Sequence, residues 1–382
     1  MIKIRLQYEW QPQPGRGAVV NAVLFDVLYA VHETGLLAEA ARRVGMSYRH
    51  VWGLMGKWER IFGRPLVALR KGRGASLTDF GRKLLWAEQL VQARLVPELE
   101  SVRHAIGKVL ADTAEASVPA LPICASHDLA LAELRDRLMH RKGLRLDLRF
   151  QGSIASLSAL SKGECLLAGF HIAEGMERSA AAPFRRLLNS SHDLLIGFAT
   201  RTQGLMLARG NPKSIESLAD LTRPGVRIVN RQRGSGSRLE FDQLLAGAGI
   251  ETGAIEGYGH EEFTHLAVAA TVAGGMADAG YGIRAAAVQY GLHYIPLLTE
   301  RYYLACRRSV LENPQVSEFL DILRSDELRK ILARLPGYGT AITGKIHDVR
   351  DLLSPTTVRP QPRSKAVRSS SRKLLAKRAT GL

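Results

Sequence analysis

Apolar positions recur along this chain with different periods, and each period predicts an element. Ile2, Ile4, Leu6, Tyr8 and Trp10 alternate with polar residues, a strand pattern that Pro12, Pro14, Gly15 and Gly17 end. From Val20 to Thr34 the residues Val20, Val23, Leu24, Val27, Leu28 and Val31 fall at helical spacing. The next stretch, Leu37 to Gly56 (LAEAARRVGMSYRHVWGLMG), reads as a helix-turn-helix. Ala41 is small where a second helix crosses, Gly45 sits in the turn where positive φ suits glycine, and Val51 and Leu54 face the first helix. Ser47 is the expected N-cap of the second helix. Tyr48, Arg49, Trp52 and Gly53 then point outward, where a major groove would lie, and Arg42, Arg43, Arg49 and His50 make that face polar and basic.

After Gly63-Arg64-Pro65 a short β-ribbon is expected, Leu66–Leu69 with Ala75–Leu77, tipped by Arg70-Lys71-Gly72-Arg73-Gly74. It reads as a wing whose Lys71 and Arg73 suit backbone or minor-groove contacts. Thr78 caps an amphipathic helix on Phe80, Leu84, Ala87 and Val91. Val96-Pro97 is expected to kink or restart it before Leu99, Val102, Ile106 and Val109. A long helix in this place suits dimerisation, and a linker is expected around Asp112–Pro119.

The second half alternates strand and helix. Leu121–Cys124 precedes Leu129–His140, Leu146–Phe150 precedes Ile154–Leu160, Val226–Val229 precedes Leu239–Ala246, and Ala277–Tyr281 precedes Ile283–Tyr290. This is an α/β pattern with parallel sheets. Four stretches result: 1–78, a winged helix-turn-helix of α+β type; 79–118, a dimerisation helix and linker; 119–354, a ligand-sensing domain; and 355–382, a basic tail expected to be disordered.

Charge sharpens this division. The net charge is +17 over 382 residues. Residues 1–110 hold 17 Lys/Arg against nine Asp/Glu, and residues 355–382 hold eight against none, so the middle is nearly neutral. A basic excess confined to the helix-turn-helix module and the tail fits nucleic-acid binding. No apolar run is long enough to span a membrane, and the first residues carry no export signal, so a cytoplasmic protein is expected. Cys124, Cys165 and Cys306 are spaced far apart, which suits a reducing compartment and buried apolar roles.

Residues 20–86, above all Ser47–Trp52 (SYRHVW), the PLV of 65–67 and the RKGRGASLT wing, resemble the DNA-binding domain of molybdate-responsive regulators, relatives of the LysR type. Residues 119–345 resemble the type II periplasmic-binding-protein-like domain related to molybdate-binding proteins, on SHDLAL (126–131), FQGSIASLSAL (150–160), VNRQRGSGSR (229–238), EEFTHLAVAA (261–270), DAGYGIRAAA (278–287) and LPGY (335–338). The resemblance implies two lobes, roughly 119–195 plus 303–350 and 200–298, joined by crossing strands near Leu194–Ala199 and Arg301–Ala305. It also implies a homodimer on a double-stranded DNA operator and a molybdate or tungstate effector, with no membrane partner and no cofactor.

Five strand-to-helix joints carry the candidate chemistry: Ser126, Gly152-Ser153, Gly234 to Ser237, Thr264, and Gly280-Tyr281-Gly282. Each offers free backbone N–H groups and a short hydroxyl at a helix start, a setting for a compact oxyanion. GSGSRL lacks the third glycine of a dinucleotide fingerprint and the Lys of a P-loop. The ligand set expected is Ser126, Ser153, His171, Ser235, Gly236, Ser237, Thr264 and Tyr281. The resemblance favours its hydroxyls over Arg231, Arg233 and Arg238, because the related binding proteins hold tetrahedral oxyanions with neutral groups. Ser126-His127-Asp128 is no triad, since neighbours at a helix start cannot chain hydrogen bonds, and no metal-ligand spacing or other catalytic constellation appears. The reading is a ligand-responsive transcription regulator, not an enzyme. The alternative is a cytosolic oxyanion-binding or molybdenum-cofactor-related protein whose DNA-binding module is secondary.

Overall fold

A computed structural model describes residues 8–12, 19–70, 74–111, 120–139, 143–174 and 182–353. The N-terminal unit holds α1 (Ala22–Thr34), α2 (Leu37–Arg43), α3 (Tyr48–Phe62) and an antiparallel ribbon of β1 (Val67–Arg70) with β2 (Gly74–Leu77). α1 begins two residues later than its apolar period, because Asn21 accepts the Leu24 N–H while Val20 forms an isolated antiparallel bridge with Trp10. That bridge is what the described residues show of the expected first strand; Ile2, Ile4 and Leu6 lie outside them. Tyr8 and Trp10 both donate to the Glu88 carboxylate.

The turn between α2 and α3 holds Gly45 at φ +68°, as its place in the motif requires. Ser47 accepts the His50 N–H at 3.2 Å and so starts α3. The buried face of α3 is Val51, Met55 and Trp58, packed on Leu24, Leu28, Ala40 and Ala41; Leu54, expected on this face, sits half-buried at its edge.

Thr78 accepts the Gly81 N–H and opens α4 (Asp79–Ala111). α4 is a single helix of 33 residues, with no restart at Pro97. Interior proline costs a helix one hydrogen bond and a clash with the preceding turn, about 3 kcal/mol, which the other turns of a 33-residue helix outweigh. The wing residues Lys71 and Arg73, the linker 112–119 and the tail 355–382 lie outside the described residues.

The second half is built on one curled mixed sheet. Eight of its ten strands are β3 (Ala120–Ala125), β4 (Arg145–Phe150), β5 (Leu167–Ala173), β6 (Asp193–Leu207), β7 (Ile228–Arg231), β8 (Glu261–Glu262), β9 (Ala279–Ile283) and β10 (His293–Arg307), ordered β4-β3-β5-β10-β6-β9-β7-β8, and the short Tyr338–Gly339 and Ile346–Asp348 pair with β6. Parallel pairing holds among β3, β4 and β5, and among β7, β8 and β9. The expectation of purely parallel sheets is corrected by β6 and β10, two 15-residue strands that pair antiparallel almost throughout and serve both ends of the sheet. They extend well beyond the short crossing segments expected. One lobe carries α5 (Leu129–Leu138) and α6 (Ser153–Ser161); the other carries α7 (Gly236–Gly247), α8 (His265–Ala273) and α9 (Arg284–Gln289). Each lobe has its own apolar core, the first around Ile123, Leu134, Phe198 and Phe319, the second around Ile228, Phe241, Val268 and Tyr281.

α4 lies against the second lobe. Trp86 donates its indole N–H to the Ala270 carbonyl, Thr264 donates to the Ala93 carbonyl at 3.1 Å, and Arg94 pairs with Glu262. Among the described residues no helix is long and apolar enough to cross a membrane.

Candidate functional site

The N-terminal half of α3 presents a polar and aromatic face. Tyr48, Arg49, His50 and Trp52 are exposed, and the rings of Tyr48 and Trp52 stack at 6.3 Å. Arg42, at the end of α2, pairs with Glu39 one turn earlier in that helix.

Between the lobes the chain buries a continuous polar network. Arg201 on β6 is fully buried and pairs with Asp128 at 2.8 Å and with Glu300 on β10. Tyr338 donates to Asp128 at 2.7 Å, and Gln203 donates to Glu300 and to Ser237, each at 3.0 Å. His171 links the lobes: Nδ1 lies 3.3 Å from the Ser126 hydroxyl, and Nε2 lies 3.3 Å from the Ser237 hydroxyl and 3.4 Å from Glu300. Burial pushes the His171 pKa down to about 4 against the pull of Glu300, so the ring is neutral at neutral pH. Burial, and then the charge of Glu300, push the Glu240 carboxyl well above its usual range. Burial opposes the charge on Glu300 itself, but Arg201 holds that carboxylate below its usual range.

This network fixes what these groups do. Ser126 donates to the Tyr302 hydroxyl at 3.2 Å, and Tyr302 donates back to the Ser126 carbonyl at 2.7 Å. His171, Glu240 and Glu300 place ligand atoms within 4.8 Å of one another, but Arg201 already supplies the positive charge on Glu300. The lobes meet closely here. A Cβ on Gly236 would come within 2.4 Å of the His171 ring, so only glycine allows this approach.

Beside the network lies a cavity of about 370 Å³, lined from both lobes and from α4. Ser126, His127, Phe150 and Gly152 come from the first lobe, Arg231, Ser235, Phe263 and Thr264 from the second, and Arg94, Glu98 and Val102 from α4. Three helices begin at its wall. Gly152 is the cap residue of α6, Ser235 caps α7 by accepting the Arg238 N–H, and Thr264 caps α8 by accepting the Ala267 N–H. Helix starts carry partial positive charge. Arg231 adds a full one: it is 4% exposed, and its Nε and Nη1 have no hydrogen-bond partner. Burial, then repulsion from Arg201, lower its pKa to about 9, which leaves it charged at neutral pH.

The structure therefore brings Ser126, Ser235 and Thr264 to one cavity and gathers His171, Gly236 and Ser237 in the adjoining network. Ser153 is fully buried with its hydroxyl unpartnered at the start of α6. Two joints differ from expectation. Ser126 does not open a helix, because Asp128 is the cap of α5 through the Leu131 N–H. Gly280-Tyr281-Gly282 lies inside β9 and not at a joint, and the Tyr281 ring stacks on Phe241 in the second lobe's core, where its hydroxyl reaches Glu240 at 3.5 Å. The arginines also divide. Arg238 pairs with Asp242 and Glu261 and lies over Tyr258, and Arg233 pairs with Glu261, whereas Arg231 has no ion pair among the described residues. Setting all three aside in favour of hydroxyls passes over the one whose charge is unmet. Arg201, Gln203, Glu300 and Tyr338 are likewise absent from the expected set. Their one signal is a charged residue inside a strand that is otherwise apolar, as at Arg201 after LLIGFAT.

Comparison with known proteins adds an independent line. Residues 24–82 match the family "Bacterial regulatory helix-turn-helix protein, lysR family", and residues 135–324 match the "PBP superfamily domain". The chain is similar to the uncharacterized protein YvgK of Bacillus subtilis (strain 168), 34% identical over 200 residues that cover 52% of this chain and 64% of that one. It is similar to an uncharacterized protein encoded in the 5′ region of a 2Fe-2S ferredoxin gene of Clostridium pasteurianum, 38% identical over 107 residues, 28% of this chain and 95% of that one. It also resembles the molybdate-binding protein ModA of Mycobacterium tuberculosis (strain ATCC 25618 / H37Rv), 40% identical over 83 residues, 22% of this chain and 30% of that one. The chain thus spans less than two thirds of YvgK and under a third of ModA. The chain thus carries a helix-turn-helix domain of the bacterial lysR family over residues 24–82 and a PBP-superfamily domain over residues 135–324.

Proposed function

We propose that this chain is a cytoplasmic transcription regulator that binds double-stranded operator DNA as a homodimer and answers to an oxyanion held in the inter-lobe cavity. The observation that carries the reading is the buried, unpartnered guanidinium of Arg231, set among the hydroxyls of Ser126, Ser235 and Thr264. A buried charge without a partner is costly, and an anion at this place removes that cost. Three helix starts at the same wall add to its attraction for an anion. The likeness to a protein named for molybdate binding makes molybdate and tungstate the first effectors to try.

The route to DNA runs through α4. This helix contributes Arg94, Glu98 and Val102 to the cavity wall and, at its other end, packs Leu85 into the core of the helix-turn-helix unit. A ligand in the cavity therefore touches the element that orients the DNA-reading face, and coupling on the order of 1–3 kcal/mol is expected. The competing reading, an oxyanion-binding or molybdenum-cofactor-related protein with a secondary DNA module, predicts binding without any effect on DNA.

Calorimetric titration of the full chain with molybdate, tungstate, sulfate and phosphate tests the proposal. Saturable heat with at least one of them, abolished in Arg231→Gln, is the expected result. Equal binding by Arg231→Gln and the parent chain rejects the site.

A further inference from the structure

We infer that the oxyanion this cavity takes is carried on a planar aromatic group, as in an aryl or heteroaryl phosphate or carboxylate, and is not a free tetrahedral ion. The inference rests on the reading of the cavity as the effector site. Size comes first. A tetrahedral oxyanion has five heavy atoms and displaces only a few waters, each of about 30 Å³. The cavity holds about 370 Å³, which lies in the range of sites for small organic molecules.

The lining has two characters. The polar part is Arg231 with the caps Ser235 and Thr264. The apolar part is Phe150 from one lobe, Phe263 from the other, and Val102 from α4. Phe263 is 61% exposed and Val102 49%, so two large apolar side chains stand open to water on the rim of one cavity. Apolar surface gathered in this way beside an unmet charge marks a binding site for a molecule with both characters. Phe150 is held in place by the His127 ring at 4.7 Å, and that imidazole is neutral because burial, and then Arg231, lower its pKa to about 4. The aromatic wall is therefore uncharged, and a ring entering beside it meets ring edges and faces, which favours stacked or tilted packing. A bare oxyanion at Arg231 uses none of this wall.

The test is calorimetry on the full chain with matched pairs of probes: phenyl phosphate against inorganic phosphate, and benzoate against acetate. Each ring-bearing probe is expected to bind about tenfold tighter than its bare partner. Phe263→Ala should bring each ratio toward one, while a melting temperature equal to that of the parent chain shows that the fold is intact. Molybdate or phosphate binding as tightly as phenyl phosphate overturns the inference and leaves the regulator reading in place, as does a ratio unchanged by Phe263→Ala. No binding of any probe, bare or ring-bearing, overturns both.

Discussion

Arg94, on the helix that leaves the helix-turn-helix unit, forms an ion pair with Glu262, whose carboxylate is buried in the second lobe. Thr271 also donates to that carboxylate at 3.1 Å. This ion pair thus ties the helix that follows the helix-turn-helix unit to the second lobe, at the rim of the cavity that Arg94 helps to line. Because Arg94 is half-exposed, removing it leaves the Glu262 charge only partly uncompensated. Arg94→Ala should cost on the order of 1–2 kcal/mol of stability and reduce the effector's influence on DNA more than its binding. Denaturant melts and operator titrations with and without effector check this. An unaltered effector response in Arg94→Ala means that this ion pair does not carry the signal.

The outer face of α3 is expected to read the operator. Arg49→Ala and Trp52→Ala should each weaken specific operator binding by about 1–3 kcal/mol while keeping the melting temperature, since both side chains are exposed. Lys71→Ala or Arg73→Ala should instead weaken binding to all sequences and lower the salt slope by about one unit for each phosphate no longer neutralised. A gel-shift series against salt separates the two classes, and an Arg49→Ala protein with parental specificity would show that another face reads the bases.

Acid should destabilise the second half through the buried His171 and His265 and the half-buried His127. Burial places His171 and His127 near 4 in the folded chain and holds His265 well below its usual value, whereas an unfolded histidine titrates near 6.5. A depressed folded pKa means that the stability is full above about 6.5 and is lost as pH falls toward 4. For His171 alone the loss across that window is roughly 3 kcal/mol. The melting temperature should fall between pH 7 and pH 5, and less steeply in His171→Gln. A flat melting temperature over this range contradicts neutral burial of these rings.

Much of the fold is legible in the residues themselves. The helix-turn-helix announces itself because Ala41, Gly45, Ser47 and Val51 each have a local physical task, and the structure gives each that task. Joints such as Ser235 and Thr264 are legible for the same reason, since capping is a property of the residue and its nearest neighbours. Pairing over distance is not legible in this way. Arg238 has Asp242 one helical turn on, but nothing near Arg231 or Arg233 in the sequence says which of them finds a carboxylate, because Glu261 lies in a different element. The same holds for Arg201 with Asp128 and Glu300, which three separate elements bring together. The role of α4 as a wall of the cavity is also hidden, since its amphipathic stripe suits a partner helix as well as a lobe.

The central claim is that an anion at Arg231 is felt at the DNA. Its most direct test is operator affinity at fixed salt, with and without a saturating anion drawn from molybdate, tungstate and phenyl phosphate, in the parent chain and in Arg231→Gln. The account predicts a shift of about five- to 150-fold in the parent chain, the span of ordinary allosteric coupling, and none in Arg231→Gln, whose ligand-free operator affinity is unchanged. Calorimetric saturation of the parent chain with no shift in operator affinity would contradict it.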